Sequence, residues 1–332
     1  MRGRRKIATE SELTDAVYGF RPSRIILSAS QLGLFSLLGG KELETRKLAA
    51  LAGVDARACE RLLNALCALG LMKKTRGRFR NAKISRDCLV EGGPRFMANL
   101  AHSASQWQSW STLTDAVRRG TAVQVRPAAR GDERRRRGFI AAMHARARLQ
   151  APRIVRLLDL SQVHRCLDIG AGSGAYAMAL VRASDSLRAT AFDLPGILHL
   201  TREYVRREGL RGRIDFLAGD FRRGGFGSGY DLVLLSAIVH MNDGEENRRL
   251  VARAAAALNR GGQLVVQDFI MSRDRTRPAA GALFALNMLV STARGDSYTA
   301  SEIGSWMRAA GLKRIRQIAT PFDASLLVGR RT

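Results

Sequence analysis

Arg165-Cys166-Leu167-Asp168-Ile169-Gly170-Ala171-Gly172-Ser173-Gly174-Ala175-Tyr176 decides the fold of this chain of 332 residues. An apolar strand pattern ending near an acid breaks into three alternate glycines and resumes with helix-forming residues. Glycine lets the backbone turn with positive φ and lets a ligand lie directly on main-chain atoms. Gly170, Gly172 and Ala175 also satisfy the G-x-G-x-x-G/A fingerprint, so at this point a nicotinamide dinucleotide stays open beside other nucleotide-like ligands.

Working outward, strand and helix patterns alternate. Residues 189–193 form an apolar strand ending in Asp193, 25 residues after Asp168, where a carboxylate can take two hydrogen bonds from a ribose diol. A dinucleotide and S-adenosylmethionine would both use that acid. Residues 213–218 deliver Gly219-Asp220-Phe221, an acceptor and an aromatic ring suited to an adenine. Residues 230–236 run into Ala237-Ile238-Val239-His240, and residues 312–320 and 325–329 read as two last strands forming a hairpin. The expected class is α/β: a Rossmann-like, doubly wound sheet of seven strands with an antiparallel C-terminal hairpin, preceded by a mainly helical winged-helix domain.

Size supports more than one domain, because 332 residues exceed the length at which a single core stops growing. The expected division is residues 1–93, a helical linker over 94–158, and a catalytic domain over 159–332. Cys59, Cys67, Cys88 and Cys166 lack C-x-x-C spacing and sit in periodic apolar segments, which reads as reduced core residues and no metal site. The basic start, residues 1–6, is followed by polar residues rather than an apolar leader, and no run reaches the about 18 apolar residues of a membrane span. The cytoplasm is the expected location, with no membrane partner.

The formal net charge of +26 would draw polyanions, and Arg134-Arg135-Arg136-Arg137 could touch phosphates. Only seven of the 55 basic residues are lysine, an arginine skew that a GC-rich coding sequence also produces. The simpler reading is a solvated basic surface. Residues 45–52 and 56–69 are two helical patterns joined by Gly53-Val54-Asp55, with Gly70 as a stop. Residues 73–80 then read as a basic hairpin, the wing of a winged helix. Lys73, Lys74 and Arg76 would contact phosphates in a nucleic-acid-binding regulator. Residues 16–38, however, carry Ile25, Ile26, Leu27, Leu32, Leu34 and Leu37, more apolar surface than a lone winged helix covers. That surplus predicts a homodimer, and nucleic acid is not the expected partner.

The ordered blocks LDIGAGSG (167–174), AFDLP (191–195), AGDF (218–221), LSAIVH (235–240), LNRGGQLVVQDF (258–269) and ALFALNMLV (282–290) resemble the class I S-adenosylmethionine-dependent O-methyltransferases of the caffeate and acetylserotonin type, in their bacterial branch. Residues 13–90 resemble the winged-helix dimerisation domain of those enzymes. The resemblance implies methylation of a hydroxyl on a small aromatic or polyketide-like acceptor. Methylation of an amine, a cofactor-dependent reaction without methyl transfer, and a nucleic-acid-binding regulator are the other readings. The C-terminal hairpin separates the methyltransferase sheet from a dehydrogenase, which would also need a second nucleotide half and a substrate domain.

By the same resemblance, Asp168, Gly170, Gly172, Gly174, Asp193, Leu194, Gly219, Asp220, Phe221, Ser236 and Met143 would hold S-adenosylmethionine. Trp107, Phe139, Met241, Asn287 and Met288 would line the acceptor pocket, with Trp110 either there or in the core. His240, just past the fourth strand of the sheet, would be the general base, since imidazole accepts a proton near neutral pH. The chain departs from the plant enzymes around it. Met241 and Asn242 replace an Asp-Trp pair, and Ser297 takes the place of a glutamate that orients the histidine. Asp268 is left as the supporting carboxylate, because Glu302 sits in a capping box with Thr299, and Asp243 and Glu246 cap another helix. His102 and His144 are read as structural histidines.

Overall fold

A computed structural model describes residues 6–125 and 133–332, the side chain of Arg134 excepted. The contacts divide these into two compact units, one ending at Trp107 and the other beginning at Gln108. The break falls inside the segment 94–158, so the expected linker is shared between the units.

The N-terminal unit contains α1 (Glu10–Tyr18), α2 (Phe20–Gln31), α3 (Leu34–Leu38), β1 (Leu43–Glu44), α4 (Thr45–Ala52), α5 (Ala56–Ala68), β2 (Met72–Thr75), β3 (Arg78–Asn81) and α6 (Lys83–Cys88). The Asp55 carboxylate caps α5 by accepting from Ala58 N at 2.8 Å. At its other end Gly70 adopts φ 72°, and Leu71 N and Gly70 N donate to Leu66 O and Cys67 O, both at 2.9 Å. This paired closure is the glycine stop read from the sequence. The wing forms with β1 added, giving a three-stranded antiparallel sheet in the order β1-β3-β2. Residues 16–38 are helical, divided among the end of α1, α2 and α3, with Gly33 in the left-handed region at φ 68° between α2 and α3. Leu34, Phe35, Leu48, Leu63, Leu66 and Phe79 make the core, whereas α1 buries none of its residues and leaves Leu13, Val17 and Tyr18 exposed.

Helix α7 (Leu100–Trp110) crosses the division. The second unit continues with α8 (Leu113–Arg119) and α9 (Glu133–Val155). Its sheet and crossovers are β4 (Arg165–Ile169), α10 (Ala175–Ala183), β5 (Arg188–Asp193), α11 (Pro195–Arg207), β6 (Ile214–Ala218), β7 (Tyr230–Ser236), α12 (Gly244–Ala256) and β8 (Leu258–Asp268). The chain ends with α13 (Ala279–Ser291), α14 (Ala300–Ala309), β9 (Leu312–Ile318) and β10 (Ser325–Arg331). The strand order is β6-β5-β4-β7-β8-β10-β9, with β4 to β8 parallel and β10 antiparallel to both β8 and β9.

Side chains alternate between two cores, as pleated strands require. Leu167, Ile169, Val233, Leu235, Leu264 and Val266 pack with α12 and α14, while Cys166, Leu232, Leu234 and Val265 pack with α9 and α10. The chain leaves β4 outward through β5 and β6 and then returns to β7 on the other side. This reversal between β4 and β7 opens a crevice at the carboxyl ends of the strands, the usual ligand position in such sheets. Among the described residues no helix is long and apolar enough to cross a membrane.

Candidate active site

The glycine loop forms the floor of that crevice. Gly170, Gly172 and Gly174 all have positive φ, at 73°, 55° and 75°. A Cβ on Gly170 would collide with Ile238 Cδ1, so the loop packs directly on the segment that follows β7. Gly219 is required for another reason: a Cβ there would enter the Phe192 ring. The Gly172 N–H donates to Asp193 Oδ2 at 2.8 Å and the Leu194 N–H to Oδ1 at 2.7 Å. Asp193 closes the loop against β5, and burial pushes its carboxyl up to about 6 despite those two donors.

Asp168 shows the same physics more strongly. It stands in register with Ala191 and Leu234 and is 2% exposed. Ala177 N, in the first turn of α10, donates to its Oδ2 over a long 3.2 Å. Burial first, and the neighbouring Asp193 charge to a smaller extent, push its carboxyl up to about 7. Two under-supplied carboxylates beside a bare backbone cradle suit a ligand bringing hydroxyl and ammonium donors, which fits the ribose and amino-acid ends of S-adenosylmethionine. Asp220 Oδ1 accepts from Arg222 N at 3.0 Å, and Phe221 follows it at the end of β6.

A short 3₁₀ turn, Val239–Met241, carries His240. Its Nδ1 lies 2.9 Å from both carboxylate oxygens of Asp268, the last residue of β8. Asp268 also accepts from Phe269 N at 2.9 Å and His240 N at 3.4 Å. A carboxylate only accepts, so Nδ1 carries the hydrogen and a neutral His240 has its lone pair on Nε2. Phe284 of α13 meets the imidazole edge-on at 4.7 Å between centroids.

The backbone around the turn is pinned from several sides. Asn247 Nδ2 donates to Val239 O at 2.8 Å, and the Tyr298 hydroxyl donates to Asn242 O at 2.6 Å. Gly295 lies so close that a Cβ would strike the His240 carbonyl oxygen. Ala237 holds φ 55°, a left-handed conformation for a non-glycine residue, directly between β7 and this turn.

The remaining expected residues fall into several places. Ser236 belongs to a buried polar group, its hydroxyl donating to Gln267 Oε1 and sharing a hydrogen bond with Tyr176. Met143 is half-buried on α9, and Phe139 packs with Ile140, Ile197 and Leu200. Asn287 Oδ1 accepts from Trp110 Nε1 at 3.0 Å, which gives Trp110 a place at α13. Met288 is buried and Met241 half-buried. Trp107 lies in the N-terminal unit, where its ring is 6.3 Å from that of Phe20 and under the Arg24 guanidinium. Ser297 donates to Gly281 O at 3.2 Å, so it does not take over the glutamate's task. Glu302 and Glu246 close the two capping boxes read from the sequence.

Two contacts were not legible from the chain. His144, read as structural, places Nδ1 2.9 Å from Ser173 Oγ in the glycine loop and stacks on Tyr204 at 4.2 Å. Phe284 shares a helix face with Asn287 and Met288 at i+3 and i+4, and that spacing was the available signal. In the arginine run, Arg137 donates to both oxygens of Glu203 at 2.9 Å, so acids of this chain already engage it. In the wing, Lys74 pairs with Glu60 at 2.8 Å and Arg80 with Glu42 at 3.3 Å.

A switch-point crevice over a glycine cradle, with a carboxylate-held histidine beside it, defines a class I methyltransferase. The family profile of the O-methyltransferase domain matches residues 110–313, and that of the O-methyltransferase dimerisation domain matches residues 14–91. The 3-hydroxy-5-methyl-1-naphthoate 3-O-methyltransferase of Streptomyces sahachiroi is 32% identical over 327 residues, 96% of this chain and 94% of that protein. The tetracenomycin polyketide synthesis 8-O-methyl transferase TcmO of Streptomyces glaucescens is 32% identical over 329 residues, 96% of this chain and 95% of that one. Human N-acetylserotonin methyltransferase, solved in complex with SAM, is similar with a TM-score of 0.81 at 25% identity, over 99% of each chain. The chain belongs to the O-methyltransferase family, and it is an S-adenosylmethionine-dependent enzyme.

Proposed function

We propose that this enzyme methylates a phenolic hydroxyl of a small aromatic or polyketide-like acceptor, with His240 as the general base. The observation that carries this reading is the paired approach of both Asp268 oxygens to His240 Nδ1 at 2.9 Å. It fixes the tautomer whose Nε2 can accept the hydroxyl proton. The Streptomyces relatives named for a naphthoate and for a tetracenomycin polyketide support the acceptor class.

S-adenosylmethionine, when bound, supplies a methyl group on a sulfonium that leaves as a neutral thioether. The residues of this chain provide position and proton transfer. Asp193 would accept from the ribose hydroxyls, Asp168 from the ammonium, and the backbone of Gly170, Gly172 and Gly174 would give the cofactor room, with Leu194, Gly219, Asp220 and Phe221 around the adenine. Ser236 and Met143 would border the methionine end. Phe139, Met241, Asn287 and Met288 would shape the acceptor side. His240 takes the hydroxyl proton, and Asp268 stabilises the imidazolium that results.

The surplus apolar residues of α1 and α2, together with the dimerisation profile, support a homodimer through the N-terminal unit. The four unpaired cysteines suit a reducing cytoplasm.

The test is a methyl-transfer assay over a panel of phenols, paired with calorimetric titration of S-adenosylhomocysteine. H240A should abolish transfer while leaving ligand affinity within twofold. D193A should weaken that affinity about tenfold to a hundredfold, the loss of two charge-assisted hydrogen bonds. Unchanged turnover in H240A would remove His240 from the mechanism.

A further inference from the structure

Helix α9 carries a guanidinium that the chemistry above does not use. Arg146 is exposed, and its guanidinium carbon stands 5.3 Å from the centre of the Phe269 ring. Among the described residues it pairs with no carboxylate. It lies one turn beyond Met143, so the two share a face of the helix.

Phe269 in turn lies 4.8 Å from Phe284, and Phe284 meets His240 at 4.7 Å. The rings form a continuous aromatic wall with the base at one end and a cation at the other. A guanidinium resting on an aromatic face keeps its in-plane N–H donors free, and their fork matches a carboxylate. A flat acceptor with its hydroxyl at His240 Nε2 and lying against Phe284 would present its far edge to Arg146, which covers the buried Phe269 ring.

We propose, resting on the O-methyltransferase reading above, that Arg146 is the carboxylate receptor of this site and selects aromatic hydroxy acids as acceptors. The same charge acts on the Tyr176 hydroxyl, just past the glycine loop. The cofactor's own carboxylate is therefore the other anion that the test must separate.

The probes are 4-hydroxybenzoate, 4-hydroxycinnamate and 6-hydroxy-2-naphthoate, whose carboxylates lie at the far end from the hydroxyl, with their carboxamides, assayed for methyl transfer by the full-length wild type, R146Q and R146K. The wild type should favour at least one acid over its amide by tenfold or more in kcat/KM. R146Q should erase that preference while leaving the amide rate within twofold, and R146K should keep part of it. Transfer to acids and amides alike in the wild type, or a preference that survives in R146Q, overturns the proposal and leaves the O-methyltransferase reading standing. Absence of transfer to every member, with S-adenosylhomocysteine still bound, overturns the acceptor assignment and leaves the O-methyltransferase reading standing. The cofactor arm compares S-adenosylhomocysteine with 5′-methylthioadenosine, which lacks the amino-acid end. A loss in R146Q confined to S-adenosylhomocysteine would assign the anion to the cofactor and overturn the acceptor assignment.

Discussion

The cofactor cradle and the His240 turn face the same crevice but are built in opposite ways. The cradle is local: alternate glycines, a backbone loop and two acids at or next to strand ends. Asp168 is buried with one long donor and Asp193 is half-buried with two, and both are pushed above the ordinary carboxylate range. The His240 turn is assembled from β7, β8, α12 and the segment before α14, and its imidazole Nδ1 and backbone carbonyls are held by partners within the chain, although Asn242 Oδ1 beside it is buried without one among the described residues. One half leaves carboxylate acceptors open to a ligand, and the other is held mainly by the chain itself. Binding and chemistry should therefore respond to different substitutions.

The largest separation is expected from D268N. An asparagine amide can donate to Nδ1 and favour the tautomer with its hydrogen on Nε2, which cannot take a proton from the acceptor. Turnover should fall on the order of 10²–10⁴-fold, the usual size of general-base catalysis. S-adenosylhomocysteine affinity should stay within twofold by calorimetry. An equal loss of affinity would join the two halves that this comparison keeps apart.

G170A probes the place where they touch. The new Cβ would meet Ile238 Cδ1 at a backbone of φ 73°. Strain and overpacking together should cost about 2–4 kcal/mol of stability in urea denaturation. I238V removes the colliding methyl and should return the packing part in the double variant, leaving the φ penalty. A G170A stability within 0.5 kcal/mol of wild type would mean that the cradle does not bear on the turn.

What the sequence made legible follows the same division. The run from Asp168 to Gly174, Asp193, the C-terminal hairpin and the capping boxes are local signals, and each is observed at its place. His240 and Asp268 were named, but their direct bond depends on the pairing of β7 with β8, in which Ser236, four residues before His240, faces Gln267, one residue before Asp268. The aromatic wall joins residues 240, 269 and 284 from three elements, and no periodicity within one element encodes it. The division of residues 16–38 into separate helices at Gly33 was not legible, because the apolar pattern is indifferent to a single left-handed residue.

A smaller effect, confined to the cradle, comes from pH. The raised carboxyls mean that the folded protein holds more protons than the unfolded chain between about pH 4 and 7. From Asp168 and Asp193 alone, the ligand-free protein loses stability as pH rises through that window. A ligand that donates to the carboxylates favours their ionised forms, so its affinity should rise over the same window. S-adenosylhomocysteine should bind about tenfold more weakly for each pH unit below 6 through Asp193. Titrations in buffers of different ionisation enthalpy should show proton release near pH 6, reduced in D193N. A flat affinity from pH 5 to 8 would mean that the two carboxylates do not meet the ligand in their charged form.

The smallest expected effect tests the other half. Ala237 is held at φ 55° between β7 and the His240 turn, a conformation that glycine adopts without a Cβ penalty. Relief of that penalty exceeds the extra chain entropy that glycine brings to the unfolded state, so A237G should raise stability by about 0.5–1 kcal/mol. The Ala237 N–H bond to Gln267 O at 2.9 Å and the Asp268 contacts to His240 hold the turn from the neighbouring strand, and neither involves the Ala237 methyl. Turnover in A237G should accordingly stay within about threefold of wild type. A stabilised variant that loses most of its activity would show that the left-handed residue is itself part of how the base is aimed, and that the His240 half depends on local backbone geometry as much as the cradle does.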